Sequence, residues 1–313
     1  MNSYDEQIRE IAKEWLRTKR VDVFIGYAKG SYGYRVIPYF AKSPVDCDRL
    51  VFNPFCFQNL VLYLKKTKGT IGVILKGCDG RALVELIKEK QIDPTRVMIL
   101  AISCSGVFDK EKLSNFVGGD LNTTEGITID GDQLRLQAGE KKFAIPHDKL
   151  VTLNCLNCKT HISSIHDIVI GERTVLEPSK DAEYFLKTPG ERREYFRNQM
   201  KKCIRCYACR DICPMCGCAT CFVDRNQPQW VDKSIHESDI MIFHLVRALH
   251  LAGRCVSCTA CEQACPMGVD LGFLNRRLTK VVEENFGYVP GDDVDVPSLL
   301  QTFKTDDPGN FIE

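Results

Sequence analysis

Two stretches of the chain repeat one cysteine pattern, and this repeat limits the possible folds more than any other feature of the 313 residues. Residues 203–214 read CIRCYACRDICP and residues 255–266 read CVSCTACEQACP, with cysteine at positions 1, 4, 7 and 11 followed by proline. In this spacing three thiolates wrap one [4Fe-4S] cluster, while the fourth reaches the neighbouring cluster. The repeat therefore predicts two [4Fe-4S] clusters in the C-terminal third of the chain.

The exchange of the fourth cysteine between the two runs predicts which thiols share a cluster. The first predicted ligand set, called set A, consists of Cys203, Cys206, Cys209 and Cys265. The second, called set B, consists of Cys255, Cys258, Cys261 and Cys213. Structural zinc is the alternative, but it normally takes two Cys-x2-Cys pairs about a dozen residues apart and needs neither a third close cysteine nor a proline. Two runs in register favour clusters.

The bulk properties of the chain favour a cytoplasmic protein. Its first residues, MNSYDEQIREIAKEWLRTKR, lack the apolar stretch of a secretory signal, and clustered cysteines in a chain of this size indicate metal ligation rather than disulfides. Lysine and arginine number 42 against 41 aspartate and glutamate residues, so no net field favours nucleic acid. No window approaches the roughly 18 apolar residues of a membrane span. We expect neither nucleic-acid binding nor a direct membrane span.

The first part of the chain alternates segments of helical and strand periodicity, which predicts an α/β domain over residues 1–190. A helix is expected at residues 6–16, and another between residues 81 and 91 completes a strand–helix–strand unit. A small β insertion is expected at residues 118–146, from their turn residues and alternation. Short strands are expected at residues 21–25, 50–52, 70–75, 97–102 and 149–153.

Beyond residue 190 the apolar spacing becomes helical, as at residues 236–252. The 41 residues between Cys213 and Cys255 are too many for a compact hairpin ferredoxin, so an all-α helical ferredoxin domain is expected over residues 191–285. Residues 243–271, FHLVRALHLAGRCVSCTACEQACPMGVDL, strongly resemble the helical ferredoxin subunit of heterodisulfide reductases. The Pro-, Gly- and Asp-rich residues 286–313 are expected to form a flexible or partner-docking extension.

Four cysteines of the first domain lie just after predicted strands, and such strand ends line the functional crevice of an open α/β sheet. These four, called set C, are Cys78, Cys104, Cys155 and Cys158. They predict a third [4Fe-4S] cluster, with Cys56 as a reserve ligand. The alternative, that a buried cysteine packs as a small hydrophobe, is preferred for Cys47. Three further thiols are candidates for a fourth cluster, or for buried or reactive thiols: Cys216, Cys218 and Cys221.

The segment GCDGRALVELIKE, residues 77–89, resembles the β subunits of coenzyme F-420 hydrogenases and formate dehydrogenases, as do the strand end at Cys104 and the pair beginning at Cys155. This resemblance implies a flavin and a cubane that exchange electrons with the deazaflavin. No G-x-G-x-x-G phosphate cradle is present, and the nearest glycines, in GYAKGSYG, are only a partial substitute. FAD in this chain therefore stays an open alternative.

No Ser-His-Asp arrangement, paired-carboxylate signature or zinc-protease helix is found in the sequence, so no catalytic residue is assigned. The expected function is an iron–sulfur subunit that relays single electrons in a cytosolic complex of an anaerobe. Its expected partners are hydrogenase, formate dehydrogenase or flavin-bearing heterodisulfide-reductase-like subunits. Two alternatives are a flavin-containing subunit that itself reduces a soluble acceptor such as a deazaflavin, and a ferredoxin-like scaffold or redox sensor.

Overall fold

The computed structural model describes residues 3–130, 132–172, 176, 188–303 and 305. The strands are β1 (Val23–Lys29), β2 (Val36–Ala41), β3 (Ile71–Leu75), β4 (Val97–Ile102), β5 (Thr124–Asp130), β6 (Gln133–Ala138), β7 (Lys141–Pro146) and β8 (Ile168–Ile170). The helices are α1 (Ser3–Arg17), α2 (Gly77–Lys88), α3 (Lys110–Val117), α4 (His147–Leu150), α5 (Leu153–Leu156), α6 (Pro189–Met200), α7 (Ala208–Asp211), α8 (Glu237–Leu251), α9 (Ala260–Ala264) and α10 (Gly272–Phe286). Within these described ranges, no helix is both long and apolar enough to cross a bilayer.

A five-stranded sheet with the order β2–β1–β3–β4–β8 forms the centre of the N-terminal half. β1, β3, β4 and β8 are parallel, and β2 pairs antiparallel at one edge. All residues of β3, IGVIL, are buried, as expected for a central strand covered on both faces. The parallel strands all end at one edge of the sheet, and that edge carries the N-terminal cysteines described below.

Helix α1 packs against this sheet through an apolar face. Ile8, Ala12 and Trp15 are fully buried at helical spacing, and the ring centroids of Trp15 and Phe24 are 5.8 Å apart. Gly72 permits this approach, because a Cβ there would lie 2.7 Å from the Phe24 ring and 3.0 Å from the Trp15 ring. The contact fixes the N-terminal helix on the sheet.

The structure confirms the α/β prediction for this half, but two of the predicted strands are wrong. In residues 50–52, Leu50 follows a short 3-10 helix and forms only a single bridge with Ala28. Residues 149–153 lie at α4 and α5, where Val151 forms one bridge with Phe108. Both segments are apolar because they are buried, and so short an apolar run does not distinguish a strand from a buried helical turn.

The predicted β insertion is an antiparallel sheet of β5, β6 and β7. Along β6, Leu134 and Leu136 are buried while their neighbours are exposed, as the alternation requires. In the described residues 188–303 all regular elements are helical. A second core joins α6, α8 and α10 there, and it contains Phe196, Phe243 and Phe273.

Charged side chains connect the N-terminal half to the C-terminal half. Arg254 forms a bidentate ion pair with Glu89, in which Nε donates to Oε1 and Nη2 donates to Oε2 at 2.6 Å. This bidentate geometry is the strongest form of an arginine–carboxylate contact. At another point of the interface, Lys110 Nζ donates to the carbonyl oxygen of Gln263 at 2.9 Å. These contacts join the two halves of the chain directly.

Glu85 of α2 holds the beginning of the C-terminal segment. Its carboxylate is fully buried and accepts hydrogen bonds from Gly291 N at 2.7 Å, from Ser298 Oγ at 3.1 Å and from the Tyr288 hydroxyl. The first part of residues 286–313 is thus docked on the chain's own N-terminal half.

Replacement of Glu85 tests this docking. Glu85→Ala leaves three buried donors without this acceptor and removes the ion pair of Glu85 with Lys88, so we expect it to lower the free energy of unfolding by about 2–4 kcal/mol. Denaturant titration of the anaerobically purified chain measures the change. Glu14→Ala, on the exposed side of α1, is the control and should change stability by less than about 0.5 kcal/mol. Equal stabilities of the two variants would contradict the docking role of Glu85.

Candidate metal centres

Set A is assembled around α7 and the end of α9. The four thiols lie close together, because the charges of Cys203, Cys265 and Cys206 each raise the pKa of Cys209. Cys209 and Cys265 are each only 8% exposed, whereas Cys206 is exposed. Because α7 packs against α9, the last cysteine of the second run reaches the first run. The structure thus brings together the four cysteines that the sequence assigns to set A.

Set B lies at the interface between the two halves of the chain. A small cavity is lined by all four of its members, Cys213, Cys255, Cys258 and Cys261. Met215 and Val256, which line the same cavity, belong to the core of the N-terminal half. Asn154 of the N-terminal half lines this cavity too, so residues of both halves border set B.

The backbones of the two cysteine runs share an unusual conformation. Arg205 and Tyr207 have φ angles of 55° and 61°, and Ser257 and Thr259 have φ angles of 54° and 62°. Such angles in residues other than glycine cost about 1–3 kcal/mol each and persist only where the surroundings hold them. They fall at the second and fourth residues after the first cysteine of each run. This curl lets three closely spaced cysteines face a common centre.

Set C lines a cavity of about 710 Å³ at the carboxyl edge of the parallel sheet. Cys78 is in the first turn of α2, directly after β3, and Cys104 follows β4. Cys155 lies in α5, and Cys158 follows it. The four cysteines that the sequence assigns to a third cluster therefore line one cavity, and Cys258 of set B lines that cavity too.

Backbone amides donate hydrogen bonds to the sulfurs of sets A and C. In set A, Arg205 N donates to Cys203 Sγ at 3.3 Å. In set C each N–Sγ distance is 3.4 Å, and the pairs are Gly106 to Cys104, Val107 to Cys155 and Thr160 to Cys158. Such donors stabilise negative charge on cysteine sulfur and adjust the potential of a bound cluster.

Burial opposes ionisation of these thiols. It raises the pKa of Cys104 and of Cys258 to about 12 each, and the pKa of Cys209 to about 11. A buried thiolate therefore needs compensating positive charge, which a metal cluster supplies. The pKa of Cys213 is instead lowered, first by a hydrogen bond from Cys216. Burial, amide donors and the curled backbone together fit cluster ligation.

In the part of the chain that the structure describes, no three His, Cys, Asp or Glu side chains converge tightly enough to hold a single metal ion. The three additional thiols have different surroundings. Cys216 lies beside Cys213, Cys218 is exposed, and Cys221 lies near Arg210. A fourth cluster stays a prediction.

The buried polar residues behind set C were not predicted from the sequence. Lys76 is 1% exposed, and its Nζ lies 2.8 Å from Asp79 Oδ2. Lys76 lines both the set C cavity and a second cavity of about 320 Å³, which Cys56 also lines. The available signal was the segment LKGCDG, where two charged residues flank Cys78 directly after a buried strand.

Comparison with known proteins relates this chain to one class, the β subunits of formate dehydrogenases. Within that class it is 24% identical to the F420-dependent formate dehydrogenase subunit beta of Methanocaldococcus jannaschii, over 94% of this chain and 93% of that relative. It is 26% identical to the F420-dependent formate dehydrogenase 1 subunit beta of Methanococcus maripaludis, over 90% of this chain and 89% of that relative. The predicted resemblance to these β subunits is confirmed.

No protein-family model matches the chain. Among solved structures, a chain of the F420-reducing [NiFe] hydrogenase complex from Methanosarcina barkeri aligns at 16% identity with a TM-score of 0.40. That alignment covers 52% of this chain and 65% of the hydrogenase chain, which is less than two thirds of its length.

Substitution of one cysteine tests set C. Cys104→Ser should remove about four irons per chain, because the cluster predicted for set C would lose a ligand. Iron and acid-labile sulfide in the anaerobically purified variant give the result. Cys47→Ser is the matched control, since Cys47 is buried in the apolar core and its thiol contacts the Ser43 carbonyl. If both variants hold the same iron, set C does not bind a cluster.

Proposed function

We propose that the chain relays single electrons between partner redox subunits, with one [4Fe-4S] cluster in each of sets A, B and C. A bound cluster of this kind exchanges one electron at a time. The observation that supports the relay most is the position of Cys258, which lines both the set C cavity and the set B cavity. One cysteine is thus common to the linings of both cavities.

The contacts among the cysteines favour the order C, B, A. The charge of Cys258 in set B raises the pKa of Cys78 in set C, so these two thiols lie close together. On the other side, Cys261 of set B lies in α9, which ends next to Cys265 of set A. Cys206 is the exposed member of set A, so electrons would enter or leave the chain near this residue.

The chain's own residues contribute enclosure and hydrogen bonds. Set B is bordered by both halves, and three of its cysteines pack against the core of the N-terminal half. The amides that donate to cysteine sulfur need no movement when charge changes, because the backbone holds them in place. For the C-terminal half we propose a helical ferredoxin fold, supported by the two cysteine runs and the helices around them.

The relatives support a place in a multi-subunit complex. Two of them are named as β subunits of F420-dependent formate dehydrogenases. We propose that the partners of this chain are formate dehydrogenase, hydrogenase or flavin-bearing heterodisulfide-reductase-like subunits, and that a deazaflavin is the soluble carrier on one side of the relay.

Internal electron exchange tests the relay. After reduction with less than one electron per chain, rapid-freeze EPR of the loaded protein should find the electron shared among all three sets. Cys255→Ser removes a ligand from set B, the middle set, so exchange between sets A and C should fall to a small fraction of its rate. Cys47→Ser should exchange electrons like the unmodified chain. Undiminished exchange in a Cys255→Ser chain that lacks the set B cluster would contradict the proposed order.

The 320 Å³ cavity favours a second candidate function, a flavin-containing subunit that itself reduces a soluble acceptor. Its volume is in the range of about 300–1,000 Å³ that is common for ligand sites. It shares Lys76 and Cys104 with the set C cavity, so a flavin there would be next to set C. About one FAD per anaerobically purified chain would support this function. No flavin in either the isolated chain or the native complex would exclude it.

A further inference from the structure

Arg247 lies in α8 between the two C-terminal cysteine sets. The residue is 5% exposed, and its Nη2 donates to the carbonyl oxygen of Cys209, in set A, at 2.9 Å. Its side chain also lines the set B cavity. One guanidinium group therefore contacts set A and faces set B.

The groups around Arg247 that can carry negative charge are mainly cysteine sulfurs. Burial disfavours the cation, but Cys213 and Cys261 of set B, with Cys216 and Cys209, hold the pKa of Arg247 above its usual value. In the described ranges of the chain, no ion pair joins Arg247 to a carboxylate. The cysteine sets are therefore its main source of compensating negative charge.

One donor of Arg247 is left without an acceptor. Its Nε is buried and has no hydrogen-bond partner among the described residues. An unpaired buried donor costs about 1–3 kcal/mol, so natural structures rarely keep one without a reason. A sulfur atom of a bound cluster is an acceptor that would satisfy this N–H group.

Arg254 provides a contrast in the same region. It also interacts with Cys213, but it is paired through two hydrogen bonds with Glu89. The Glu89 carboxylate balances the charge of Arg254. Arg247 has no such counter-ion among the described residues, so its positive charge acts on the cysteine sets without that balance.

We propose that Arg247 is a positioning residue whose single buried charge raises the reduction potentials of the clusters in both set A and set B. The proposal rests on the proposed relay function. Reduction adds one electron to a cluster, and a fixed cation in a buried site stabilises the added negative charge. Because the same guanidinium faces both sets, it raises the two potentials together and so leaves the driving force for transfer between the two clusters little changed.

Removal of the charge is the first test. Arg247→Gln keeps a polar side chain but loses the cation. EPR-monitored redox titration of the anaerobically purified chain should show both potentials lowered, with the reduced-to-oxidised ratio at a fixed potential falling about tenfold, or about 59 mV for a one-electron couple. The potential of set C, whose cysteines do not contact Arg247, should stay unchanged. No shift, or a shift in only one of sets A and B, would overturn the shared role.

Arg247→Lys separates charge from shape. Lysine keeps one positive charge but not the planar fork, so each reduced-to-oxidised ratio should stay within about threefold of the unmodified chain. The potentials of this variant also test the proposal if Arg247→Gln fails to fold or to load clusters. A lysine variant with both ratios lowered about tenfold would overturn the assignment to charge.

Arg197→Gln is the matched control. Arg197 lies on α6, is about half exposed and pairs with Glu237 at the surface, so its removal should leave the potentials of sets A and B unchanged. A control shift as large as that of Arg247→Gln would overturn the proposal. Iron content distinguishes failure of this proposal from failure of the proposed relay. If sets A and B are loaded but their potentials are unshifted, only the role of Arg247 is removed. If the unmodified chain lacks these clusters, the relay itself is removed.

Discussion

Set B lies between the two halves of the chain, and three of its cysteines pack against the core of the N-terminal half. Buried thiolates are stable only beside positive charge or a metal, so these cysteines cannot be packed as ordinary apolar side chains once ionised. The same interface is held by the Arg254–Glu89 ion pair and by the C-terminal segment docked on Glu85. A cluster bound by set B, as proposed, would therefore also help to hold the two halves together.

This arrangement gives a physical reason for combining an α/β half with a helical half in one chain. The parallel sheet brings set C to one edge, because the chain leaves consecutive parallel strands on the same side. The curled backbones of the two runs gather the other cysteines. The contact at Cys258 places the two arrangements next to each other, so an electron would not need to cross solvent between them.

Much of this could be predicted from the sequence, because its signals are local. The spacing of the two runs assigned the members of sets A and B, and the apolar strands before Cys78 and Cys104 indicated where set C gathers. The segment at residues 149–153 shows the limit: its apolar residues reflect burial, and the backbone there forms short helices instead of a strand. The cysteines that follow it still reach the cavity, because position near the sheet edge matters more than the type of element.

Contacts between distant residues could not be predicted in this way. Nothing in the local sequence says that Glu85 accepts from Ser298, or that Arg247 contacts Cys209 while facing set B.

The content of iron and acid-labile sulfide per chain, after strictly anaerobic purification of the unmodified protein, tests the central claim most directly. About 12 irons with matching sulfide, four for each set, is the result that this account predicts. About 8 irons in fully loaded protein would contradict it, because set C would then hold free thiols and the relay would end inside the C-terminal half.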